Sequence, residues 1–466
     1  MSHPRASIAT LFAQGTTAMD RGDAAAAEAA YRAALQLDPK RAEVHANLGL
    51  LLQGQGRLEE AEEHYRSAVA GNPRQAQIHM NFASLLAARQ RFAEAEAAYR
   101  RALALSPQLP GAWSNLGVLL ACVHREQAAE HCHRRAMRID PHYRNARFNL
   151  AYLLLRQGRY AEGWPCLEAR DWYAPLENYL KCPRWQGESL AGKSLLIGYE
   201  AGHGDMMQFC RYATLLKARG AERVSLLCHP ALTSLFGHLA GVDQVIAFDA
   251  AFPDAAWDFW VPLLSLPFLF ATRLETIPAK LPYLGVDAAR ISAWAKAIDT
   301  RQAGLRVGLV WKGNPDFEND AERSLPSLAL LSPLAKVAGI RYFSLQKGAG
   351  AQEAASCAEF PALVDLGQRI ADFADTAAII MNLDLLISVD TGVAHLAGAL
   401  NRPCWVMLPD YKTDWRWLKD RTDSPWYPGA LRLFRQARSG HWDETIAAVA
   451  TALRDLLANR DGASAS

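Results

Sequence analysis

Leu385–Pro409 reads LLISVDTGVAHLAGALNRPCWVMLP and decides the fold of the second half of this chain. Leu385–Val389 has the length and apolar character of a strand that is buried on both faces. An Asp-Thr-Gly triplet that starts at Asp390 interrupts the apolar run. Val393–Leu400 then reads as a short helix with small residues on one side, and Cys404–Leu408 as the next strand. The stretch therefore predicts a strand–loop–helix–strand unit of a parallel sheet, with Asp390 at the carboxyl end of a strand.

The loop that joins this strand to its helix is a candidate binding site. Thr391 and Gly392 lie where a helix start has unpaired N–H groups, and such helix starts bind phosphate at the carboxyl edges of parallel sheets. Alternatively, Asp390 or Thr391 caps the helix and Gly392 allows a tight turn. The stretch alone leaves both interpretations open.

Composition limits the class of protein. The chain has 466 residues, enough for two to four domains, and a formal net charge of +2, which gives no basic stripe for nucleic acid. The eight Cys residues form no CxxC pair, as is typical of a reducing compartment. The first ten residues contain no apolar signal core, and Phe259–Ala271, the most hydrophobic segment, is too short for a membrane span. We expect a cytoplasmic protein without a membrane span.

The N-terminal third is periodic. One residue type recurs every 34 residues in several phases: Pro39, Pro73, Pro107, Pro141 and Pro175; Ala27, Ala61, Ala95 and Ala129; Tyr31, Tyr65 and Tyr99. This period, with small residues where two helices touch and an aromatic residue in the second helix, resembles the tetratricopeptide repeat. Each helix pair cannot bury its apolar face alone, so neighbouring pairs must stack. The first and fifth repeats are irregular, and the fifth has Gly163 and Arg170 at small-residue positions.

Four asparagines share a further phase, namely Asn47, Asn81, Asn115 and Asn149. They lie on the first helix of each pair, the helix that lines the concave groove of tetratricopeptide arrays. Because an amide offers both a donor and an acceptor, an Asn ladder could hold the backbone of a polypeptide acceptor. The alternative, that these amides bond neighbouring backbone and keep helix geometry, stays open.

The remaining two thirds alternate strand and helix, which predicts two parallel sheets with helices on their faces. In the first sheet, the loop Glu200–Asp205 follows a strand and brings Asp205 to a helix start. This loop lacks the third glycine of a dinucleotide fingerprint, because Met207 stands in its place, so we reject NAD binding. Asp205 is a candidate base, and His203 is a second one. Alternatively, His203 is a neutral loop histidine and Asp205 is a simple first-turn carboxylate.

In the second sheet, three cations follow strand ends. They are Lys312, Arg323 and Lys347, and with the helix start at Thr391 they would suit a diphosphate. Each cation taken singly could also be a solvated surface charge. The residues predicted to bind this diphosphate-bearing ligand, which is called the donor below, are Lys312, Asn314, Arg323, Ser324, Gln346, Lys347, Asp390, Thr391, Gly392, Val393 and His395.

Four stretches carry a family resemblance: Gly198–Tyr212, Val307–Pro326, Ser388–Pro403 and Asp414–Gln436. Together with the repeats they resemble bacterial tetratricopeptide-repeat glycosyltransferases, whose catalytic part is similar to the lipopolysaccharide heptosyltransferases and has the two-domain GT-B fold. The domain order and the Asn ladder are also similar to those of eukaryotic O-GlcNAc transferase, where such a ladder holds the acceptor polypeptide. His203 and Lys312 depart from the residues usual at their positions, which bears on the choice of donor or acceptor.

The resemblance implies roles and a fold. It implies that Asp205 is the general base, that Arg323 lies near the donor phosphates, and that Asp390, Thr391 and Gly392 form the loop for donor sugar and phosphate. It also implies a tetratricopeptide-repeat α-solenoid followed by two Rossmann-like α/β domains. The predicted limits are 1–177 for about five repeats, 178–192 for a connector, 193–300 for the acceptor-side domain, and 301–466 for the nucleotide-sugar domain with its final helix.

The activity expected from these residues is transfer of a sugar from a nucleotide-diphosphate sugar to a protein or glycan. We expect no cofactor and no metal. The sequence has no DxD pair near the cleft that is expected between the two sheets, and no His/Cys cluster at the spacing of metal ligands. The alternative is a scaffold that binds partner proteins through its repeats and has a degenerate α/β part. The tryptophans at 415, 417 and 426 could wall the cleft or, more simply, pack between domains.

Overall fold

The structure is a computed structural model that describes residues 7–250 and 256–464, with side chains up to residue 460. The outermost predicted domain limits, residues 1 and 466, lie outside these described residues. The described chain forms two compact units, which meet in sequence between Leu153 and Leu154. Each unit is described below by itself.

Antiparallel helix pairs at the 34-residue period build the first unit, as the sequence predicts. The helices are α1 (Ile8–Asp20), α2 (Ala24–Leu37), α3 (Ala42–Gly54), α4 (Leu58–Gly71), α5 (Ala76–Ala88), α6 (Phe92–Leu105), α7 (Pro110–Cys122), α8 (Glu126–Ile139) and α9 (Arg144–Arg156), the last of which continues into the second unit. Small residues are needed where the ring of the second helix meets the first. A Cβ built on Gly117 would lie 2.6 Å from the His133 ring, and one on Gly49 would lie 3.2 Å from Tyr65.

In the second, third and fourth repeats, an arginine at the start of the second helix ties that repeat to the repeat before it. Arg57 Nη1 lies 2.8 Å from Glu28 Oε2, and Arg125 Nη1 lies 2.8 Å from Glu96 Oε2. Between them, Arg91 Nη1 lies 2.6 Å from Glu62 Oε1. These Arg–Glu pairs recur at the repeat period and are called the Arg–Glu ladder below.

His45, His79 and Trp113 each lie two residues before an Asn of the predicted groove. They differ in residue type, but each makes the same hydrogen bond to the carbonyl oxygen of a proline. His45 Nε2 lies 3.0 Å from the Pro39 carbonyl oxygen, and His79 Nε2 lies 3.0 Å from that of Pro73. In the next repeat, Trp113 Nε1 donates to the Pro107 carbonyl oxygen at 2.9 Å. A side-chain nitrogen at this position therefore closes the turn that precedes each first helix.

The second unit begins with α10 (Tyr160–Leu167), α11 (Ala174–Tyr179) and an irregular connector. Although the sequence places the end of the repeat array at residue 177, residues 154–177 belong to this unit. The reason is their packing, because Trp164 is 2% exposed and its Nε1 donates to the Thr272 carbonyl oxygen at 2.8 Å.

The first sheet of this unit has four parallel strands in the order β3-β2-β1-β4. The strands are β1 (Ser194–Gly198), β2 (Arg223–Cys228), β3 (Gln244–Ala247) and β4 (Phe259–Pro262), and the helices are α12 (His203–Phe209), α13 (Ala213–Ala218), α14 (Thr233–Phe236) and α15 (Leu266–Leu269). β4 pairs with β1 and was not expected from the sequence, because its apolar run continues without a break into a helical segment.

The second sheet has six strands in the order β10-β9-β8-β5-β6-β7, all parallel. The strands are β5 (Leu305–Val310), β6 (Ile340–Ser344), β7 (Val364–Asp365), β8 (Leu385–Val389), β9 (Cys404–Leu408) and β10 (Leu431–Arg435). The helices are α16 (Ala288–Ile298), α17 (Asp320–Arg323), α18 (Ser332–Ala335), α19 (Glu353–Ser356), α20 (Phe373–Met381), α21 (Gly392–Ala399) and α22 (Asp443–Ser464). The predicted unit around Asp390 is thus confirmed as β8, α21 and β9.

Each sheet has a point where the strand order reverses, and ligands bind at such points in open α/β sheets. In the first sheet, β1 leads to β2 on one side and lies beside β4 on the other. In the second sheet, the reversal lies between β5 and β8. The loops that carry Asp205, Lys312 and Asp390 follow β1, β5 and β8, so all three leave strands at reversal points.

Within residues 7–250 and 256–464, no helix combines the length and the apolar character that a membrane span requires.

Candidate active site

Asp205 lies in the first turn of α12, where two partners hold its carboxylate. Oδ2 accepts a hydrogen bond from the Gly202 backbone N–H at 2.8 Å, which caps the helix. Oδ1 forms an ion pair with the guanidinium of Arg416, which comes from the other α/β domain. Burial raises the pKa of Asp205, while Arg416 acts in the opposite direction. The side chain is 19% exposed, and a half-buried carboxylate with a raised pKa is a suitable proton acceptor.

Arg416 also binds Asp414, so one guanidinium joins two carboxylates. Its Nη1 lies 2.9 Å from Asp414 Oδ1 and 3.0 Å from Oδ2, and its backbone N–H donates to the same Oδ1 at 2.9 Å. The side chain of Arg416 is 8% exposed. The sequence analysis gave no role to Arg416 or Asp414, although both lie in a stretch that carries the family resemblance.

The starts of α12 and α21 meet at two glycines. A Cβ built on Gly204 would lie 3.4 Å from the Gly392 Cα and 2.8 Å from His395 Cδ2. His395 stacks on Trp417 with ring centroids 4.9 Å apart and shares a 2.9 Å hydrogen bond with the Tyr427 hydroxyl. Because burial lowers the pKa of His395 well below its usual value, this imidazole is neutral.

Asp390 is 9% exposed at the end of β8. The pKa of Asp390 is raised to about 6, chiefly by burial and then by the neighbouring Asp414, while Arg323 acts in the opposite direction. Thr391 precedes α21 and its hydroxyl lies 3.0 Å from that of Ser388. The N–H groups of Gly392 and Val393 belong to the first turn of α21, where a helix supplies no internal partner.

Arg323 is the cation of the second sheet that lies near Asp390. Its Nε lies 3.2 Å from Asp320 Oδ1 and its guanidinium stacks 4.3 Å from the Phe317 ring centroid. The neighbouring Ser324 is committed to local structure, because its hydroxyl accepts from the Gly313 N–H at 2.8 Å and donates to Asp320 at 2.9 Å.

The two predicted lysines have other partners. Lys312 Nζ lies 2.5 Å from Glu353 Oε1, which neutralises its charge. Lys347 donates from Nζ to the Ile370 carbonyl oxygen. A positive charge near a strand end is visible in the sequence, but the carboxylate or carbonyl group that binds it is not.

Gln346 and Asn314, both predicted to bind the donor, bond to backbone. Gln346 Oε1 accepts from the N–H groups of Trp311 and Lys312 at 2.9 and 3.0 Å, and its Nε2 donates to the Ala349 carbonyl at 2.9 Å. Asn314 is exposed and accepts from the Asp316 N–H at 3.2 Å. Gln346 therefore fixes the loops after β5 and β6.

His203 lies in an aromatic environment. Its ring centroid is 4.2 Å from that of His229 and 5.1 Å from that of Phe373, and burial lowers the pKa of His203 to about 4. The ring is therefore neutral at physiological pH. Asp205 remains our preferred base, because its pKa is raised whereas that of His203 is lowered.

The four predicted acceptor-binding asparagines lie in the first unit and are half-buried. Three of them donate from Nδ2 to a hydroxyl: Asn47 to Tyr31 at 3.3 Å, Asn115 to Ser84 at 3.3 Å and Asn149 to Ser114 at 3.1 Å. The fourth, Asn81, accepts from Gln77 at 2.9 Å. An amide has two N–H groups and an oxygen with two lone pairs, so one such bond does not exhaust it.

Metal-ligating groups were sought over residues 7–250 and 256–464. Within these ranges no three His, Cys, Asp or Glu side chains are arranged so that they could hold a metal ion.

Comparison with known proteins matches both parts of the chain. The tetratricopeptide repeat family model matches residues 12–76 and 47–110, and that of glycosyltransferase family 9 (heptosyltransferase) matches residues 351–406. The chain therefore carries tetratricopeptide repeats followed by a segment similar to glycosyltransferase family 9. That segment includes β8, the whole of α21 and the first residues of β9.

A curated relative is similar to about two thirds of the chain. Protein FlbA of Caulobacter vibrioides is 29% identical over an alignment of 338 residues, which covers 66% of this chain and 54% of FlbA. The chain thus spans about half the length of the curated relative it matches.

Solved structures are similar to the repeat region. TTC0263, a thermophilic TPR protein of Thermus thermophilus, is 20% identical and matches 37% of this chain and 94% of its own, with a TM-score of 0.34. PilF of Pseudomonas aeruginosa is 20% identical and matches 46% of this chain and 85% of its own, with a TM-score of 0.35.

Proposed function

We propose that this protein is a glycosyltransferase that moves a sugar from a nucleotide-diphosphate sugar to a hydroxyl group of a protein or glycan, without a metal ion. One observation carries the proposal. The helix that bears the half-buried carboxylate of Asp205 and the helix that begins at Gly392 meet start to start, at the strand-order reversal points of two parallel sheets. This arrangement brings a base and an anion-binding helix start to one place.

The chemistry follows from the two helix starts. Asp205 takes the proton of the acceptor hydroxyl, whose oxygen bonds to the anomeric carbon of the donor sugar. The diphosphate leaves with the electron pair of the broken bond. The N–H groups of Gly392 and Val393 and the guanidinium of Arg323 stabilise its charge. Transfer should therefore persist in the presence of EDTA, and its loss there would contradict the metal-independent part of the proposal.

The repeat array supplies the acceptor side of the proposal. Tetratricopeptide arrays present a concave groove suited to proteins. The half-buried amides of Asn47, Asn81, Asn115 and Asn149 retain hydrogen-bonding capacity in that groove. We infer that an extended polypeptide acceptor binds there. All eight cysteines are free thiols, which agrees with a reducing compartment, and we place the protein in the cytoplasm.

Two contacts favour the alternative, a scaffold without catalysis. Lys312 is neutralised by Glu353, and the carboxylate of Asp205 is paired with Arg416. A scaffold of this kind would bind partner proteins through its repeats and would show no affinity for a nucleoside diphosphate.

Calorimetry with a panel of nucleoside diphosphates separates the two functions. The glycosyltransferase proposal requires one of them to bind, and Arg323→Ala should weaken that binding by about 1.5–3 kcal/mol, the range for a hydrogen bond to a charged group. Lys312→Met is the matched control, because its ammonium already has a carboxylate partner, and it should have the smaller effect. Failure of every nucleotide to bind would support the scaffold. Equal affinities of wild type and Arg323→Ala would remove Arg323 from the donor site.

A further inference from the structure

A fully buried ion pair lies beside the loop of the candidate base. The side chains of Arg170 and Glu200 are both 0% exposed, and Arg170 Nε donates to Glu200 Oε1 while Nη2 donates to Oε2 at 3.1 Å. The guanidinium also donates to Glu168 Oε1 at 2.7 Å, to Ser265 Oγ at 2.8 Å and to the Leu167 carbonyl oxygen at 3.1 Å. Arg170 thus holds charged, hydroxyl and backbone acceptors at once.

Arg170 occupies a position where the repeat pattern calls for a small residue. The residues at earlier repeats of this phase are Ala34, Ala68, Ala102 and Ala136, all of them 0% exposed. α10 ends at Leu167, three residues before Arg170, whereas Ala136 lies within α8. The helix therefore stops early and a long charged side chain replaces a methyl group. Packing of a helix pair does not require this change.

The groups that Arg170 contacts belong to the strand-order reversal point of the first sheet. Glu200 lies two residues after β1, and Ser265 lies three residues after β4. Glu200 Oε2 also accepts the Leu264 N–H at 3.1 Å, so the ends of both strands meet at one carboxylate. This is the edge of the sheet from which the loop to Asp205 departs.

The loop that follows Glu200 needs such support. Ala201 has a left-handed backbone with φ 60, a conformation that costs free energy for a residue with a Cβ. Strained residues of this kind persist when their surroundings fix them. Gly202 follows and donates its backbone N–H to Asp205 Oδ2, so a change at Glu200 is transmitted to the carboxylate within a few residues.

We propose that Arg170 is a positioning residue, which fixes the loop Glu200–Asp205 and thereby the orientation of the Asp205 carboxylate. Its effect on transfer rests on the proposed function, whereas its effect on the loop does not. Arg170 contacts neither donor nor acceptor in this assignment and acts only through Glu200. The departure from the repeat pattern thus links the last helix pair to the candidate base.

Hydrogen exchange of the full-length protein tests the effect on the loop without any substrate. Arg170→Ala and the milder Arg170→Lys should both speed exchange in the peptide that spans residues 199–209, because the acceptors of Arg170 lose donors. Arg306→Ala is the matched control. It removes a two-bond pair with Asp384, at 2.9 and 3.0 Å, near the amino end of β5, and should leave this peptide unchanged. If Arg170→Ala fails to fold, Arg170→Lys decides. Exchange equal to that of Arg306→Ala overturns the proposal.

A double-mutant cycle tests the route through Asp205. Alone, Arg170→Lys should lower kcat about 10–100-fold with the donor KM unchanged, since misplacement of a catalytic group by about 1 Å costs up to about 10²-fold. In an Asp205→Asn background the same substitution should have no further effect on kcat, because the group that it positions is gone. Additive losses would overturn the proposal. If the wild type transfers no sugar, the proposed function fails and hydrogen exchange still decides the role of Arg170.

Discussion

Asp205 is the residue on which the chemistry of this molecule depends, and its carboxylate can be tested with a nearly isosteric change. Asp205→Asn retains an oxygen that can accept the Gly202 N–H, so α12 keeps its cap, but the amide does not accept a proton. Transfer should fall about 10²–10⁴-fold, the usual contribution of general-base catalysis, while calorimetry shows unchanged donor affinity. Turnover similar to that of the wild type would transfer the role of base to another group.

Asp390 makes a pH-dependent contribution to stability. Burial, together with Asp414, raises the pKa of Asp390 to about 6. Above pH 6 the carboxylate is therefore ionised in the folded protein, where its negative charge is less favourable than in the unfolded chain. This penalty is fully present above pH 6 and disappears as the pH falls through 6 toward the unfolded value of about 4. Asp390→Asn should therefore stabilise the second unit by roughly 2–3 kcal/mol at pH 8 and by much less at pH 4.5.

Urea unfolding followed by tryptophan fluorescence would measure this difference, because every tryptophan except Trp113 lies in the second unit. Asp365→Asn is a suitable control, since this half-buried carboxylate is the last residue of the edge strand β7 and accepts from the local Gly367 N–H at 2.9 Å. An equal effect of Asp390→Asn at both pH values would mean that its carboxyl group does not titrate abnormally.

Local pattern was enough to place Asp205 and Asp390 at strand ends, because apolar runs and the residues that interrupt them are visible in the sequence. It did not reveal Arg416, which meets Asp205 across 211 residues of chain. Nor did it show that Glu353 neutralises Lys312 or that backbone groups bind the Gln346 amide. Such partners depend on which loops the sheet brings together.

At the scale of elements, Glu62 is the most heavily bonded member of the Arg–Glu ladder. Its side chain is 9% exposed, with Arg66 and Arg91 each at 2.6 Å and Arg89 as a third partner. Burial alone would raise the pKa of Glu62, but Arg91 and its neighbours hold it below 4.5. Its stabilising contribution is therefore present at pH 7 and is lost as the pH falls through the folded pKa.

Glu62→Gln should cost about 1–2 kcal/mol at pH 7, between the values for exposed and buried pairs. Hydrogen exchange of amides in α4–α6 would measure the loss. Glu43→Gln is the control, because Glu43 and its partner Arg41 are 44% and 53% exposed, and it should cost less than about 0.5 kcal/mol. Equal effects of the two substitutions would show that the ladder adds nothing beyond ordinary surface pairs.

Periodicity predicted the helix pairs well, but two edge strands were missed. β4 and β10 each have a single strand neighbour. The apolar run of β4 continues without a break into a helical segment, and β10 reads LRLFR, in which basic residues interrupt the apolar ones. His45, His79 and Trp113 share one phase of the repeat and differ in type, yet each places a ring nitrogen within hydrogen-bond distance of a carbonyl oxygen. Residue identity varies at this position while the hydrogen bond is retained.

For the whole molecule, the Asn ladder decides whether the repeats serve the chemistry. In the quadruple variant Asn47/Asn81/Asn115/Asn149→Ala, transfer to a protein acceptor should collapse, while folding and hydrolysis of the donor by water survive. Each amide contact is worth only about 0.5–1.5 kcal/mol, so single substitutions should matter little. Gln77→Ala is a control that removes the partner of Asn81 without removing a ladder amide. Equal loss of transfer and hydrolysis, or loss of neither, would assign the asparagines to helix geometry alone.

The Arg–Glu ladder has a consequence for the way the first unit melts. A stack of repeats behaves as a one-dimensional lattice, in which the coupling between neighbours sets how many repeats unfold together. Here part of that coupling comes from the Arg–Glu pairs, whose side chains are partly exposed. Dissolved salt therefore weakens the coupling, while the apolar contacts within each helix pair remain. Ionic strength thus sets how many neighbouring repeats unfold together. In dilute buffer the repeats melt as one block, and in concentrated salt the terminal repeats fray before the centre.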